Sequence, residues 1–187
     1  MKMSKILMAG TLLALGATTA HAASDGGLAA TSTGTSDVQL IIAERVQITG
    51  LADLVLDNGS GGAANTYEPG SGDVSFTSTF CVHYNNATGV DLTINSTNGA
   101  GTGYLLDDGS GNQITYQVEI DEGDDGGATA HAEAATIQYS SMASTTLNCG
   151  GTPNNNVRAF VLDSGSPLGV PNGTYQDTLS FIIAPNP

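Results

Sequence analysis

Apolar residues fall on alternate positions through much of this chain. Val38, Leu40 and Ile42 alternate with Asp37, Gln39 and Ile41, a period of two that places one set of side chains on one face of an extended strand. Val46-Gln47-Ile48 resumes the alternation after the charged pair Glu44-Arg45, and Leu54-Val55-Leu56 forms a third short run ahead of Asn58-Gly59-Ser60-Gly61-Gly62. The rhythm continues through Val74-Ser75-Phe76 to Cys81-Val82, Val90 to Ile94, Ile114 to Ile120, Thr136 to Tyr139, Val157 to Leu162, and a long final run from Tyr175 to Ile183. Between these runs stand Asn85-Asn86, Asp108-Gly109, Gly123-Asp124, Gly150-Gly151 and Asn172-Gly173, residues suited to the positive φ of tight turns. Roughly eight to ten short strands at this spacing predict an all-β fold, an antiparallel β-sandwich. The alanine-rich window Ala128 to Ala135 is the only helix-compatible stretch, and it is too short to be more than a loop with one turn.

The first residues follow a different rule. Lys2 and Lys5 precede a short apolar run from Ile6 to Leu15, and Ala20-His21-Ala22 places small residues at both cleavage-defining positions, the pattern of a secretory signal peptide. The run falls short of the ~20 residues a membrane span needs, and no later stretch comes closer, so no membrane insertion is expected. Residues 1–22 are expected to be removed, leaving a mature chain that starts at Ala23 and is exported. Residues 23–37, rich in Thr, Ser and Gly, read as a flexible polar leader.

Charge narrows the function. Beyond the signal peptide only Arg45 and Arg158 face 18 acidic residues, a formal charge of −16. Such a surface repels phosphate backbones and anionic headgroups, which excludes nucleic acids and lipid surfaces as partners. With 187 residues, 40% of them hydrophobic, the chain can bury the core of one domain. Cys81 and Cys149 are an even pair in an exported chain, with no CxxC and no His/Cys cluster beside them, and a disulfide between them is expected.

No catalytic constellation emerges. His83 and His131 sit in no motif with a nucleophile, and Ser140-Ser141 and Ser164-Gly165-Ser166 lack the Gly-x-Ser-x-Gly elbow. Asp57-Asn58-Gly59-Ser60, Asp107-Asp108 and Glu122-Gly123-Asp124-Asp125 lack the spacing and terminal Glu of a calcium loop, and read as solvated acidic turns. The six Tyr and four Phe are spread singly along the strands, as core packing requires and as a carbohydrate-stacking platform does not. No catalytic, cofactor-binding or metal-binding residue is therefore assigned.

The two ends of the mature chain carry a more specific signal. Gly173, Tyr175, Asp177, Thr178, Leu179, Phe181 and Ile183 form a closing Gly-x-Tyr-x-Asp-Thr-Leu run followed by alternating apolar residues. In this the chain resembles the archaic, Csu-type chaperone-usher pilins and the related spore coat protein U domain. The likeness is looser but collinear elsewhere: a polar leader, the Val38-Gln39-Leu40-Ile41-Ile42 segment, the Leu54-Val55-Leu56 run, a cysteine strand, Val90 to Ile94, and Ile114 to Val118. Two features depart from the family pattern. No cysteine lies near Arg45-Val46, and Ala184-Pro185-Asn186-Pro187 follow the last apolar residue.

The resemblance implies an incomplete immunoglobulin-like antiparallel β-sandwich that is completed by a donor strand. Residues 38–43 would be the donor-strand segment, with Val38, Leu40 and Ile42 as the inserted side chains, and residues 44–187 the sandwich. Tyr175, Leu179, Phe181 and Ile183 would belong to the acceptor groove and final strand. It further implies a periplasmic chaperone, an outer-membrane usher and other pilin subunits as partners, and a fimbria at the cell surface supporting adhesion and biofilm formation. The alternative is a self-sufficient secreted β-sandwich, a surface-coat or matrix-binding protein, in which residues 38–42 are an ordinary first strand.

Overall fold

The computed structural model describes residues 24–56, 67–68, 70, 72–86, 89–164 and 166–186. The expected signal peptide and the turn at 58–62 lie outside the described residues. The chain forms two units, Met1–Ile42 and Ala43–Pro187.

In the first unit the leader is exposed throughout its described length. Within it Ser24 and Thr35 pair, their backbones exchanging hydrogen bonds of 3.1 and 3.0 Å. Residues 38–42 form no strand, contrary to the expectation from their alternation, and Val38, Leu40 and Ile42 are 96%, 82% and 73% exposed. A period-two pattern creates a strand only where a neighbour accepts its backbone groups and its apolar face.

The second unit is all-β. Its larger sheet contains β1 (Val46–Thr49), β2 (Val74–Tyr84), β4 (Tyr104–Asp107), β5 (Gln113–Asp121) and β9 (Asn155–Val161) in the order β1-β2-β9-β5-β4. Two-residue strands extend it, β6 (Thr129–Ala130) on β5 and β8 (Ala143–Ser144) on β2. The smaller sheet orders β10 (Leu179–Pro185), β3 (Val90–Ser96) and β7 (Thr136–Tyr139) as β10-β3-β7. All pairings are antiparallel except the short β2–β8 contact.

Alternation explains the layering. Val90, Leu92 and Ile94 of β3, Ile114, Tyr116, Val118 and Ile120 of β5, and Val157, Ala159 and Val161 of β9 are buried on alternate positions. Facing inward from the two sheets, with Phe80, Tyr84 and Met142 fully buried among them, they form one core. Each buried Val, Leu, Ile or Phe stabilises by about 1.5–3 kcal/mol.

Several strand expectations need correction. Leu54-Val55-Leu56 forms no strand, although Leu54 and Leu56 still turn toward the core while Val55 is exposed. The final strand begins at Leu179 rather than Tyr175, and it runs past Ile183 into the tail, where Ala184 pairs with Asp91 and Pro185 with Val90. β4, β6 and β8 were not legible, because Tyr104-Leu105-Leu106 shows no alternation and the other two are shorter than any sequence window. Ala128 to Ala135 holds β6 and a turn at Glu133-Ala134, with no helix. Gly109, Gly123, Gly150 and Gly151 take positive φ, as their turns require.

Cys81 of β2 and Cys149 of the 147–151 turn are disulfide-bonded across 68 positions of sequence. The bond ties down a turn in which Asn148 and Cys149 both sit in the left-handed region, at φ 51° and 50°, a conformation that side chains other than glycine enter at a cost. Closing so long a loop stabilises by about 4 kcal/mol in the chain-entropy view. The folded protein should therefore show no alkylatable thiol before reduction, and the Cys81→Ser/Cys149→Ser double variant should lose about 4 kcal/mol in denaturant titrations.

His131 is buried between the sheets. Its backbone N–H donates to the Val118 carbonyl at 2.9 Å, and its ring nitrogens lie 3.3 Å from the Leu92 carbonyl, 3.0 Å from the Ala132 carbonyl and 3.3 Å from the Tyr104 hydroxyl. Burial holds its pKa below the ordinary 6.5. The folded chain thus refuses a proton that the unfolded chain accepts, so this group's contribution to stability is fully present above pH 6.5 and is lost as the pH falls below it. Urea midpoints measured from about pH 8 down to about pH 5 should fall along this limb, and His131→Gln should flatten it.

Candidate functional site

The site begins at a corner. Before β10 the chain lies along the larger sheet, where Gln176 and Asp107 exchange backbone hydrogen bonds of 3.0 and 2.9 Å. Three residues later Leu179 pairs with Ser96 in the smaller sheet. Asp177 sits at the switch. One carboxylate oxygen accepts from the Ser96 and Tyr116 hydroxyls, each at 2.6 Å, and the other from the backbone N–H groups of Thr178 at 2.7 Å and Asn98 at 3.2 Å. Tyr116 is buried in β5 of the larger sheet and Ser96 ends β3 of the smaller, so a single carboxylate fastens both sheets to the incoming strand. Burial, and then the bond to Asp177, push the Tyr116 phenol above its usual range.

Beyond the corner β10 is held on one side only. It pairs with β3 along its whole length, and its other edge pairs with no strand among the described residues. β1 likewise pairs only with β2. The two strands pass within 8 Å of each other without pairing, which leaves a seam between the sheets. Backbone groups on the seam side of β10 lack a ladder.

Apolar side chains along the seam are half-buried. Leu179, Phe181 and Ile183 face the core but are only partly covered, in contrast to Val90, Leu92 and Ile94 of the neighbouring β3, which are wholly enclosed. Val46 and Ile48 of β1, Leu54, Leu56 and Leu106 share that intermediate state. An open cleft of about 310 Å³ runs among Leu54, Leu56, Leu106, Val157, Leu179 and Phe181. At its base the Phe181 ring lies 6.3 Å from that of Phe80. Asp53, Tyr116, Asp177 and Thr178 also line it, so the wall is apolar along Leu54, Leu56, Leu106, Leu179 and Phe181 and polar toward the corner.

The acidic turns are internally satisfied. Asp108 accepts from the Asn112 side-chain amide at 2.7 Å and the Ser110 N–H at 2.8 Å, which hold its pKa low. Asp163 accepts from the Tyr67 hydroxyl and from the Gly70 N–H at 2.7 Å, with the same effect. In return, burial and Asp163 push Tyr67 up to about 12. Glu122 accepts from the Ser141 N–H at 2.8 Å and Asp124 from the Asn156 amide at 2.6 Å. Among the described residues no group of His, Cys, Asp and Glu is placed to hold a metal ion, and no helix is long and apolar enough to cross a membrane.

Of the residues expected in the groove, Leu179 and Phe181 line the cleft. Ile183 lies further along the same face of β10, half-buried against the core. Tyr175 stands before the corner, packed on the core with its hydroxyl donating to the Pro171 carbonyl at 2.7 Å. Val38, Leu40 and Ile42 lie in the other unit, exposed. Sequence reasoning gave Asp177 no role although it stood in the quoted motif, and it missed Leu106 and Leu56 as groove residues.

No family model and no curated protein matches the chain. One solved structure with a similar fold is described as "Chaperone-tip adhesin complex is vital for synergistic activation of CFA/I fimbriae biogenesis". The similarity has a TM-score of 0.50 at 12% sequence identity, covers 76% of this chain, and spans 42% of the matched one. At that identity the likeness is one of fold: two antiparallel sheets in a β-sandwich.

Replacing Asp177 with Asn weakens charge-assisted bonds to both sheets at once. Asp177→Asn should lower stability by about 1.5–3 kcal/mol, whereas Asp53→Asn, at an exposed position on the cleft wall, should change it little; denaturant midpoints compare the two.

Proposed function

We propose that the mature chain is a structural subunit of an extracellular fimbria, assembled by donor-strand exchange and without catalytic activity. The observation that carries this reading is the alternate half-burial of Leu179, Phe181 and Ile183 on a strand whose outer edge has no partner strand among the described residues. A complete sandwich would cover these residues as fully as it covers Val90, Leu92 and Ile94. What is missing is one strand with apolar side chains at every second position.

Residues 38–42 have that pattern and are exposed in the other unit. Five extended residues span about 16 Å, the same length as Leu179 to Ile183. Insertion of this segment into the cleft of another copy would give β10 a ladder on its open edge and bury Val38, Leu40 and Ile42, at about 1.5–3 kcal/mol each. Until then the seam is an aggregation hazard, which is the reason for a periplasmic chaperone that covers it with a strand of its own and an outer-membrane usher at which the exchange occurs. The resemblance to Csu-type pilins and the fimbrial fold neighbour support this reading, and a role in adhesion and biofilm formation follows from it.

Leu40 lies at the middle of the donor face and Gln39 on the opposite one. Leu40→Asp would bury an unpaired carboxylate at a cost of several kcal/mol, so this variant should be exported and found with its chaperone yet fail to polymerise, while Gln39→Asp assembles. Fibre yield and SDS-resistant ladders of unheated samples measure both. Equal assembly by the two would return the chain to the alternative of a self-sufficient secreted sandwich. Deleting residues 23–43 should likewise leave a chaperone-binding subunit that donates no strand.

A further inference from the structure

The apolar segment 38–42 is followed at once by a stretch that is fastened to the body. Asn85, just beyond β2, donates from its backbone N–H to the Arg45 carbonyl at 3.3 Å, accepts from the Arg45 N–H on its side-chain oxygen at 3.0 Å, and donates from its side-chain nitrogen to the Ala43 carbonyl at 2.9 Å. Between those two residues the Glu44 carboxylate accepts from the hydroxyl of Tyr84 at 3.2 Å, and the Tyr84 ring is fully buried in the core. Three consecutive residues, all exposed to solvent and outside any strand, are each held by β2 or its immediate continuation. The unit boundary falls one residue earlier, at Ile42.

Ordinary sequence continuity would not require this. An exposed segment between a leader and a first strand, with no apolar residue of its own to bury, loses conformational entropy on being fixed and would be free to pivot. Here the amide of one side chain reaches two positions that both precede β1. From Ile42 to Val46 the chain can span at most about 14 Å. Whatever Ile42 is inserted into therefore lies close to the body that supplies it, and the direction of residues 43–45 sets the angle between the two.

We propose that Asn85, assisted by Tyr84 and Glu44, is a positioning clamp at the root of the donor segment, which makes the junction between successive subunits stiff. The proposal rests on the fibre reading for its consequence, although the clamp itself is a property of one chain. Without it, residues 43–45 would act as a three-residue hinge, and the fibre would bend at every junction. With it, the orientation of β1 and β2 in one subunit is transmitted to the donor segment seated in its neighbour.

The test has two arms. In the purified mature chain, 15N relaxation should give Ala43, Glu44 and Arg45 amide order like that of the body; Asn85→Ala should loosen Ala43 toward the values of the exposed leader and Arg45 to a lesser degree, since Arg45 keeps the bond from the backbone N–H of residue 85 and Glu44 keeps its bond from Tyr84, with the melting of the body unchanged. Asn85→Asp keeps the oxygen that receives the Arg45 N–H but cannot donate to Ala43, so it should loosen Ala43 and spare Arg45, a graded response that general destabilisation would not produce. Asn86→Ala is the control and should change nothing. In the second arm, electron micrographs of fibres should show Asn85→Ala assembling in normal yield with a shorter persistence length and a wider spread of inter-subunit angles. Unchanged amide order in Asn85→Ala overturns the clamp. Loosened order with unchanged fibre geometry overturns its role at the junction. Absence of fibres from the unsubstituted chain overturns the fibre reading and the junction claim with it, while the relaxation arm still decides whether the clamp exists.

Discussion

The carboxylate of Asp177 is the constraint on which the architecture turns. The chain must leave the larger sheet at Gln176 and enter the smaller one at Leu179, and a sheet switch made in three residues strands backbone donors that no ladder can take up. Asp177 accepts two of those donors, from Thr178 and Asn98, and at the same time two hydroxyls that belong to opposite sheets. Carboxylate oxygens are suited to this because each offers more than one lone pair and accepts charge-assisted bonds. With the corner fixed, β10 has one course open to it, along β3 with its far edge toward β1. The seam is thus a consequence of where the last strand is forced to start.

The state of that seam is set by packing rather than by polarity. Leu179, Phe181 and Ile183 are as apolar as their neighbours on β3, and their side chains point the same way. They differ only in what lies above them. A core of interdigitating side chains gains dispersion contacts from every direction, and a residue at an open side forfeits part of them. The body is secured by the disulfide from β2 to the 147–151 turn, by His131 between the sheets and by the wholly enclosed residues of β3, β5 and β9, none of which depends on further cover over β10. Most of the core is thus enclosed while one apolar face of β10 stays half-covered.

Much of this was written in the period-two pattern. β2, β3, β5, β7 and β9 fall where the alternation places them, because each has an apolar face that a sandwich interior covers on one side. The pattern failed where alternation and pairing part company. Residues 38–42 carry apolar side chains at 38, 40 and 42 and pair with no strand among the described residues, since a strand's partner is a property of topology that no local window contains. Leu54-Val55-Leu56 keeps its facing but lacks a ladder among the described residues, and β4 pairs at the sheet edge without alternating, with Tyr104 buried and Leu105, Leu106 and Asp107 of intermediate burial on both faces. The closing Gly-x-Tyr-x-Asp-Thr-Leu motif marks the corner before β10, yet the work done by its Asp became visible only when Ser96 and Tyr116, 81 and 61 positions away in sequence, were brought to it. Asn85 was legible only as a turn residue for the same reason.

An exposed uncharged run of Val, Leu and Ile is the composition that favours indiscriminate cross-β pairing. In this chain the run is short and is bounded by Asp37 on one side and Glu44-Arg45 on the other, charges that would be stacked against their own kind in an in-register assembly. The bodies that carry it repel one another, with 18 acidic residues against Arg45 and Arg158, and Arg158 is already committed to Glu119 at 3.1 Å and to the face of Phe160. Contact between copies is therefore unfavourable except where a specific burial outweighs the repulsion. On the fibre reading the cleft beside β10 would provide such a burial, and a flat edge-to-edge contact would not. On the fibre reading, the acidity that rules out nucleic acids and lipid surfaces as partners also leaves strand insertion as the one association between copies that is strong enough to persist.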